Sequence, residues 1–257
     1  MTMGINWVGL FTFLRKEVQR VMRVAVQTIF SPLISATLYI FIFGHVIGSR
    51  IDLIAGVPYI TFVFPGILMM NIIGSSFEHT ASSVFMGKFL KSIEEMLVSP
   101  FSYIEMIVGF VLSAVVRATI VSLGILSIGI LFGAVDLNNI WLFLFYSVAV
   151  STIFALIGMI IGLWAKGFEQ FSLINIFIIM PFSFLGGIFY SVSMLPEKAQ
   201  IIAHINPFFY FIDGIRHAMI GYSEANTLVG LALIFGLIAV LGTTVVYLFK
   251  IGWRIRA

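Results

Sequence analysis

Arg117 is the one charged side chain deep inside a long apolar run of this sequence. It stands twelve residues beyond Glu105, roughly 18 Å along a helix axis, near the middle of a run long enough to cross a bilayer. An arginine at that depth faces a bundle interior or a wet cavity, as a cavity-lining cation or a helix lock. A structural arginine satisfied by backbone carbonyls fits equally well. Glu78, at the inner end of the preceding apolar run, is the nearest partner by depth. Other chemistry is sparse. No G-x-x-x-x-G-K-[ST] occurs, so the chain has no phosphate loop of its own. His45, His79, His204 and His217 show no H-x-x-x-H spacing, and no paired acids sit within an apolar run. The absence of cysteine excludes disulfides, thiolate metal sites and thiol nucleophiles. We therefore assign no catalytic and no metal-binding residues.

Two segments between the apolar runs carry further patterns. Residues 86–100 contain Gly87-Lys88-Phe89-Leu90-Lys91-Ser92-Ile93-Glu94-Glu95-Met96-Leu97-Val98-Ser99-Pro100. Phe89, Ile93, Met96 and Leu97 share a helical face, and Pro100 marks the helix end. A short surface helix with exposed acids suits docking to a soluble partner; a solvated loop helix touching headgroups is the alternative. The second segment, 191–222, follows Gly186-Gly187-Ile188-Phe189-Tyr190. Pro196 can open a helix and Asn206-Pro207 ends it. Phe208 to Ile220 makes a second helix, with Gly221 as its cap. Neither can span, yet Ile201, Ile202 and Ile205 on one and Phe208, Phe211, Ile212 and Ile215 on the other demand burial. Short apolar helices that dip in and return need ends buried in protein or lining water, which predicts a plug wedged among spans 5 and 6 and a partner copy. Asp213 and Arg216, three apart, can pair on one face, and Gly214 permits close helix approach. The functional reading is a gate that includes Tyr190, Pro196, Asn206, Pro207, Tyr210, Asp213 and Arg216; a static plug is the other.

The elements that position these residues are set by composition. Hydrophobic types make up 61% of the 257 residues and charged types 10%, against about 25% charged in soluble domains. That leaves too little polar surface to cover a water-soluble globule. Six apolar stretches are long enough to cross roughly 30 Å of hydrocarbon: 24–47, 59–77, 105–134, 140–164, 170–190 and 227–249. Continuous apolar character argues for helices rather than an alternating barrel. The reading is an all-α integral membrane protein with Glu78 to Ser102 and Ser191 to Asn226 as its two long connections.

Residues 5–22 differ. Trp7, Leu10, Phe11, Leu14, Val18 and Val21 fall on one helical face, with Arg15, Lys16, Gln19, Arg20 and Arg23 opposite, an amphipathic helix suited to the interface; an ordinary cytoplasmic helix packed on protein is the alternative. The first long charge-free run, from Val24, is too long for a signal-peptide core, so insertion by uncleaved spans is expected. Ten lysines and arginines fall on the side of both termini and three, Arg50, Lys198 and Arg216, on the other. The positive-inside rule then puts both termini in the cytoplasm. The net charge of +3 reflects this orientation rather than nucleic-acid binding.

This order of parts resembles the membrane subunit of type-2 ATP-binding-cassette exporters over almost the whole chain. The most specific stretches are Glu94-Glu95-Met96-Leu97-Val98-Ser99-Pro100 and the run from Leu185-Gly186-Gly187 through Leu195-Pro196, Asn206-Pro207 and Asp213-Gly214-Ile215-Arg216 to Gly221. It looks closest to the bacterial branch with separate permease and ATPase chains, which includes drug-efflux and polysaccharide exporters. The resemblance implies a permease of the bacterial inner membrane, working as two copies with two ATPase subunits. ATP and Mg would bind in the partner and no cofactor in this chain. It also implies that Ile93, Glu94, Glu95, Met96 and Leu97 transmit ATPase motion, that the dimer interface forms the substrate path, and that 191–222 closes its outer end. A secondary transporter or channel is the main alternative, and an intramembrane enzyme is a further one. Substrate identity is not legible.

Overall fold

The computed structural model describes residues 6–51, 53–98 and 101–254, with the side chains of His45, Ser49, Leu97 and Val98 left aside. Among these, six helices are long and apolar enough to cross a membrane. Span 1 begins with a wide-turn stretch Val26–Phe30, continues as the α-helix Ser31–Tyr39, and ends in a second wide-turn stretch, Ile40–Ile47. A small hairpin, Leu53–Ile54 against Val57–Pro58, leads on from it. Ala55 and Gly56 have positive φ at its tip, which matches the strand twist of a two-residue turn. Span 2 is Tyr59–Phe89, span 3 Tyr103–Leu131, span 4 Ile140–Trp164, span 5 Phe168–Leu185 and span 6 Thr227–Ile251.

Local chemistry sets several of these starts. Ser102 and Glu105 form a reciprocal capping box on span 3. Asn139 caps span 4 through the Leu142 N–H, and Asn226 caps span 6 through the N–H groups of Leu228 and Val229.

Two boundaries differ from the sequence reading. Span 2 does not stop at Phe77; it runs on as helix to Phe89, so the first part of the expected loop Glu78 to Ser102 is helical. Glu78 and Lys88 are few enough charges for one helix to carry because each finds a protein partner. Glu78 accepts from Asn175, and Lys88 Nζ donates to the Leu163 and Ala165 carbonyls. Span 5 ends at Leu185 rather than Tyr190. Gly187 takes φ +83°, which a side-chain-bearing residue rarely adopts, and the chain then turns across span 2. There Ile188 lies so close that a Cβ on Gly66 would sit 2.9 Å from its Cα.

Span 2 is the hub, buried for most of its length and packed chiefly on spans 3 and 4. Gly158 and Gly162 of span 4 make the closest approach possible. A Cβ at Gly158 would meet the Phe77 carbonyl at 2.5 Å, and one at Gly162 the Ala81 carbonyl at 2.7 Å. Spans 1, 5 and 6 are mostly unburied along their apolar lengths. A second cluster at the terminus end joins Phe13, Ile93, Phe110, Leu163, Val245 and Phe249, which places the N-terminal helix, the 92–98 helix and the end of span 6 together.

Gly158→Ala drives a methyl into backbone that cannot yield and should cost about 1–3 kcal/mol, read as a lowered unfolding temperature in detergent. Gly242→Ala, with open space around it, should be neutral or slightly stabilising. Equal effects of the two would contradict the packing described.

Candidate functional site

Three spans bring a polar stripe to one place. Span 1 contributes Gln27, Ser31 and Ser35, each four residues apart; span 2 contributes Asn71, Ser75 and Glu78; span 5 contributes Asn175 and Ser183. Together they line an open groove of about 260 Å³, completed by apolar side chains including Met70, Ile176 and Met180. Several of its polar groups are tied down. Asn71 Nδ2 donates to the Ile67 carbonyl at 2.8 Å, Ser183 Oγ to the Ile179 carbonyl at 2.7 Å, and Asn175 Nδ2 to Glu78 Oε1 at 2.6 Å. The last bond bridges spans 5 and 2. Glu78 remains exposed to the groove, and among the described residues no lysine or arginine lines it. The stripes were readable as polar residues at helical spacing, but only packing shows that all three face one another.

The groove's neighbours on the far side of span 2 form a separate buried network. Glu17 of the N-terminal helix Trp7–Arg23, assigned to neither face from sequence, is buried. Its Oε2 accepts from Arg20 Nε at 3.2 Å and Ser83 Oγ at 2.5 Å. Arg20 also reaches His79 Nδ1 at 3.3 Å. An arginine only donates, so Nδ1 accepts, and the Nε2 proton is directed to Ser113 Oγ at 2.8 Å. Ser113 passes its own proton to the Phe110 carbonyl at 2.8 Å. Phe13 packs edge-on against Phe110 at 4.9 Å, over Gly109, where a Cβ would collide with its ring at 2.5 Å. Trp7, Val8 and Phe11 stay exposed, as an interfacial face requires. The helix is thus bolted to spans 2 and 3 while these three apolar side chains stay open. Ile5 lies outside the described residues.

Arg117 is buried, with Glu78 and Arg20 as its charged neighbours. No carboxylate lies within 4 Å of it among the described residues, and its Nε has no hydrogen-bond partner. The suggested contact with Glu78 does not form, because Glu78 turns to Asn175 on the other side of its helix.

At the terminus end, Lys91 in a left-handed conformation breaks span 2 from the helix Ser92–Val98. Ile93 is buried against Gly87, Glu94 half-buried, Glu95 exposed and Met96 half-buried. The side chain of Leu97, and Ser99 and Pro100 altogether, lie outside the described residues. Ile93, with Met96 packed partly against the same cluster, therefore fastens the helix, and Glu95 faces outward.

At the opposite end, the helices Glu197–Ile205 and Pro207–Ile220 form as the sequence implied, and Gly221 closes the second in the left-handed conformation. Pro196 precedes the first. Asn206 caps the second through the Phe208 N–H at 3.0 Å and donates to the Phe182 carbonyl of span 5 at 2.7 Å. Pro207 takes its first turn. Tyr210 donates to the His204 carbonyl at 3.1 Å, and Tyr190 packs beside Phe209. The second helix is buried chiefly against spans 2 and 4 rather than 5 and 6 alone. Gly214 abuts the Tyr146 ring, and Phe154 meets Phe208 at 5.2 Å. Aromatic rings on span 4 pack against this helix. Ile201, Ile202 and Ile205 of the first helix remain 62%, 59% and 77% exposed.

Asp213 and Arg216 do not pair. Asp213 accepts from Ser223 Oγ at 2.7 Å and from the N–H groups of Glu224 and Ala225 at 2.9 and 3.0 Å, so it ties the following loop. Fully buried Arg216 donates to the Gly187 carbonyl at 2.6 Å and lies over the Phe62 ring at 4.1 Å. Each satisfies backbone groups that a mutual bridge would have left unpaired. Glu224, absent from the sequence-derived candidates, completes the closure. Its carboxylate accepts from Ser191 Oγ, from Tyr222 Oη at 3.0 Å and from the Val192 N–H at 2.9 Å. Burial works against its ionised form, but these bonds outweigh it and hold its carboxyl below the ordinary 4.5.

Residues 9–220 match the ABC-2 type transporter family. The chain belongs to that family. It is 36% identical over 254 residues to the inner membrane transport permease YadH of Escherichia coli K12, covering 98% of this chain and 96% of that one. It is 27% identical over 229 residues to nodulation protein J of Rhizobium leguminosarum bv. viciae, with 87% and 85% covered. With nodulation protein J of Rhizobium meliloti it shares 26% over 223 residues, with 85% and 82% covered. This ABC-2 protein is the membrane subunit of an ATP-binding-cassette exporter, a multi-pass helical permease. The match covers most of the N-terminal helix, spans 1 to 5, the 92–98 helix and both short helices after span 5.

Because the folded Glu224 carboxyl titrates below its unfolded value, its stabilisation is fully present above pH 4.5 and drains as pH falls through the lower folded value. Protection of the Val192 amide, normalised to its intrinsic exchange rate at each pH, should be high at neutral pH and fall in strong acid. Glu224→Gln should raise Val192 exchange already at neutral pH and flatten that acid response. An acid response unchanged in Glu224→Gln would show that another group governs the loop.

Proposed function

We propose that this permease works as a homodimer with two separate ATPase subunits, and that the groove between spans 1, 2 and 5 is its half of the substrate path. The observation that carries this is the groove itself. Three polar stripes, open on their outer side, cannot face hydrocarbon without a cost of several kcal/mol per unpaired group. Water or a second copy must complete them. The unburied apolar flanks of spans 1 and 5 on either side supply a surface for that copy.

The 92–98 helix is the ATPase-docking element. It is held by Ile93 and offers Glu94 and Glu95 to a soluble partner, which brings the ATP and Mg. Ile93 and Phe13 belong to one cluster with the end of span 6, so a push on this helix reaches the interfacial helix and span 3 directly. The plug of 191–222 closes the far end, and both termini are cytoplasmic in an inner membrane. Exposed Arg15, Lys16, Arg23, Lys91, Lys166, Lys250 and Arg254 gather on the terminus end, which supports that orientation. Arg256, counted with them from sequence, lies outside the described residues. The relatives' names as transport and nodulation proteins accord with export but do not specify a cargo.

The double variant Glu94→Lys and Glu95→Lys should insert normally yet lose co-purification with the cognate ATPase, since charge reversal at a docking rim costs several kcal/mol. Intact co-purification with intact transport would sink the docking role.

The chain has no cysteine of its own, which gives a clean background for labelling. Asn138→Cys, exposed at the plug end, should react with an impermeant maleimide applied to intact spheroplasts. Glu95→Cys should react only after lysis. The reverse pattern would invert the topology.

A further inference from the structure

Resting on the groove as the substrate path, we infer that Glu78 makes the path selective for amphiphiles bearing a cationic group and rejects anionic ones. Among the described residues, Glu78 is the single charged side chain that lines the groove. Its carboxylate is exposed there and anchored by one bond, Asn175 Nδ2 at 2.6 Å. That bond orients it across spans 2 and 5 without neutralising it. No cation touches it among the described residues: Arg20 is engaged with Glu17 and His79, and Arg117, its charged neighbour, is buried outside the lining and makes no ion-pair contact with it. A cargo in the groove therefore meets one negative charge set beside apolar walls, which screen it less than bulk water does. Acidic side chains lining a confined path select cations for this reason.

The rest of the lining defines the other part of the ligand. Amide and hydroxyl groups of Gln27, Ser31, Ser35 and Asn71 offer hydrogen bonds, while Ile176 and Met180 offer an apolar wall that a flexible thioether adapts to varied shapes. A cation with an apolar body fits both halves. If two copies face their grooves together, two Glu78 carboxylates border one path and the selection is reinforced.

The cysteine-free chain allows a direct reading of the local field. Ser35 is exposed and lines the groove, so Ser35→Cys is made in the full transporter in membranes, with Glu78 intact, Glu78→Gln or Glu78→Lys. Each is reacted with a trimethylammonium-ethyl and with a sulfonatoethyl methanethiosulfonate, reagents of similar size and opposite charge. The cation-to-anion rate ratio, normalised to a free thiol, should be about tenfold above unity with Glu78, near unity with Glu78→Gln and below unity with Glu78→Lys. Tetraphenylphosphonium should slow the reaction in the Glu78 protein, and tetraphenylborate, of the same shape, should not. A ratio unaffected by Glu78→Gln, or protection by both tetraphenyl ions alike, overturns charge selection while leaving the path in place. If neither reagent reacts although the unfolded protein labels fully, the groove is closed to water. The path reading itself then fails.

Discussion

A membrane interior offers no water to a polar group, so every donor and acceptor at that depth must be met by the protein itself. In this permease the burden falls on span 2. Its far-side residues His79 and Ser83 receive the Glu17–Arg20 pair from the N-terminal helix. Its groove-side residue Glu78 receives Asn175 from span 5. Its C-terminal end delivers Lys88 to the open carbonyls of Leu163 and Ala165 at the end of span 4. Its N-terminal end donates Tyr59 Oη to the Phe189 carbonyl at 2.9 Å. Glycines at 158 and 162 let span 4 lie against it backbone to backbone. Remove that contact and the polar pairings on both faces lose their geometry.

The same constraint separates the molecule into a rigid half and an incomplete one. Spans 2, 3 and 4 with the second plug helix bury their apolar and polar groups against one another. Spans 1, 5 and 6 and the first plug helix leave large apolar surfaces open, and the groove leaves polar stripes open beside them. Apolar surface can rest against lipid at no cost, but polar stripes cannot. The asymmetry therefore identifies the groove, rather than the wider apolar faces, as the part of the fold that calls for water, cargo or a second copy.

The plug illustrates how charge placement follows backbone need. Loops at a membrane surface carry unpaired N–H and C=O groups wherever helices end. Asp213 and Glu224 satisfy the N–H side of that account around residues 191–193 and 224–225, and Arg216 satisfies the C=O side at Gly187. All three are spent on holding the plug's own turns. A movement of the plug as a unit preserves these bonds, whereas unravelling it breaks them.

What the sequence determined by itself was everything local. Long charge-free runs gave six spans, Pro196, Asn206-Pro207 and Gly221 gave the two short helices, and the spacing of Ile93 with Met96 gave the surface helix that Ile93 anchors. Each of these depends on neighbours within a few residues, where helix period and capping chemistry decide. Tertiary structure decided what no local pattern encodes. Glu17 turns inward because His79 and Ser83, more than sixty residues away, offer it partners. Span 2 continues past Glu78 because Asn175 and the span 4 carbonyls pay for its charges. Asp213 and Arg216, three apart on one helix, ignore each other because backbone groups nearby had the greater need. Three modest polar stripes became one groove only when spans 1, 2 and 5 were packed side by side.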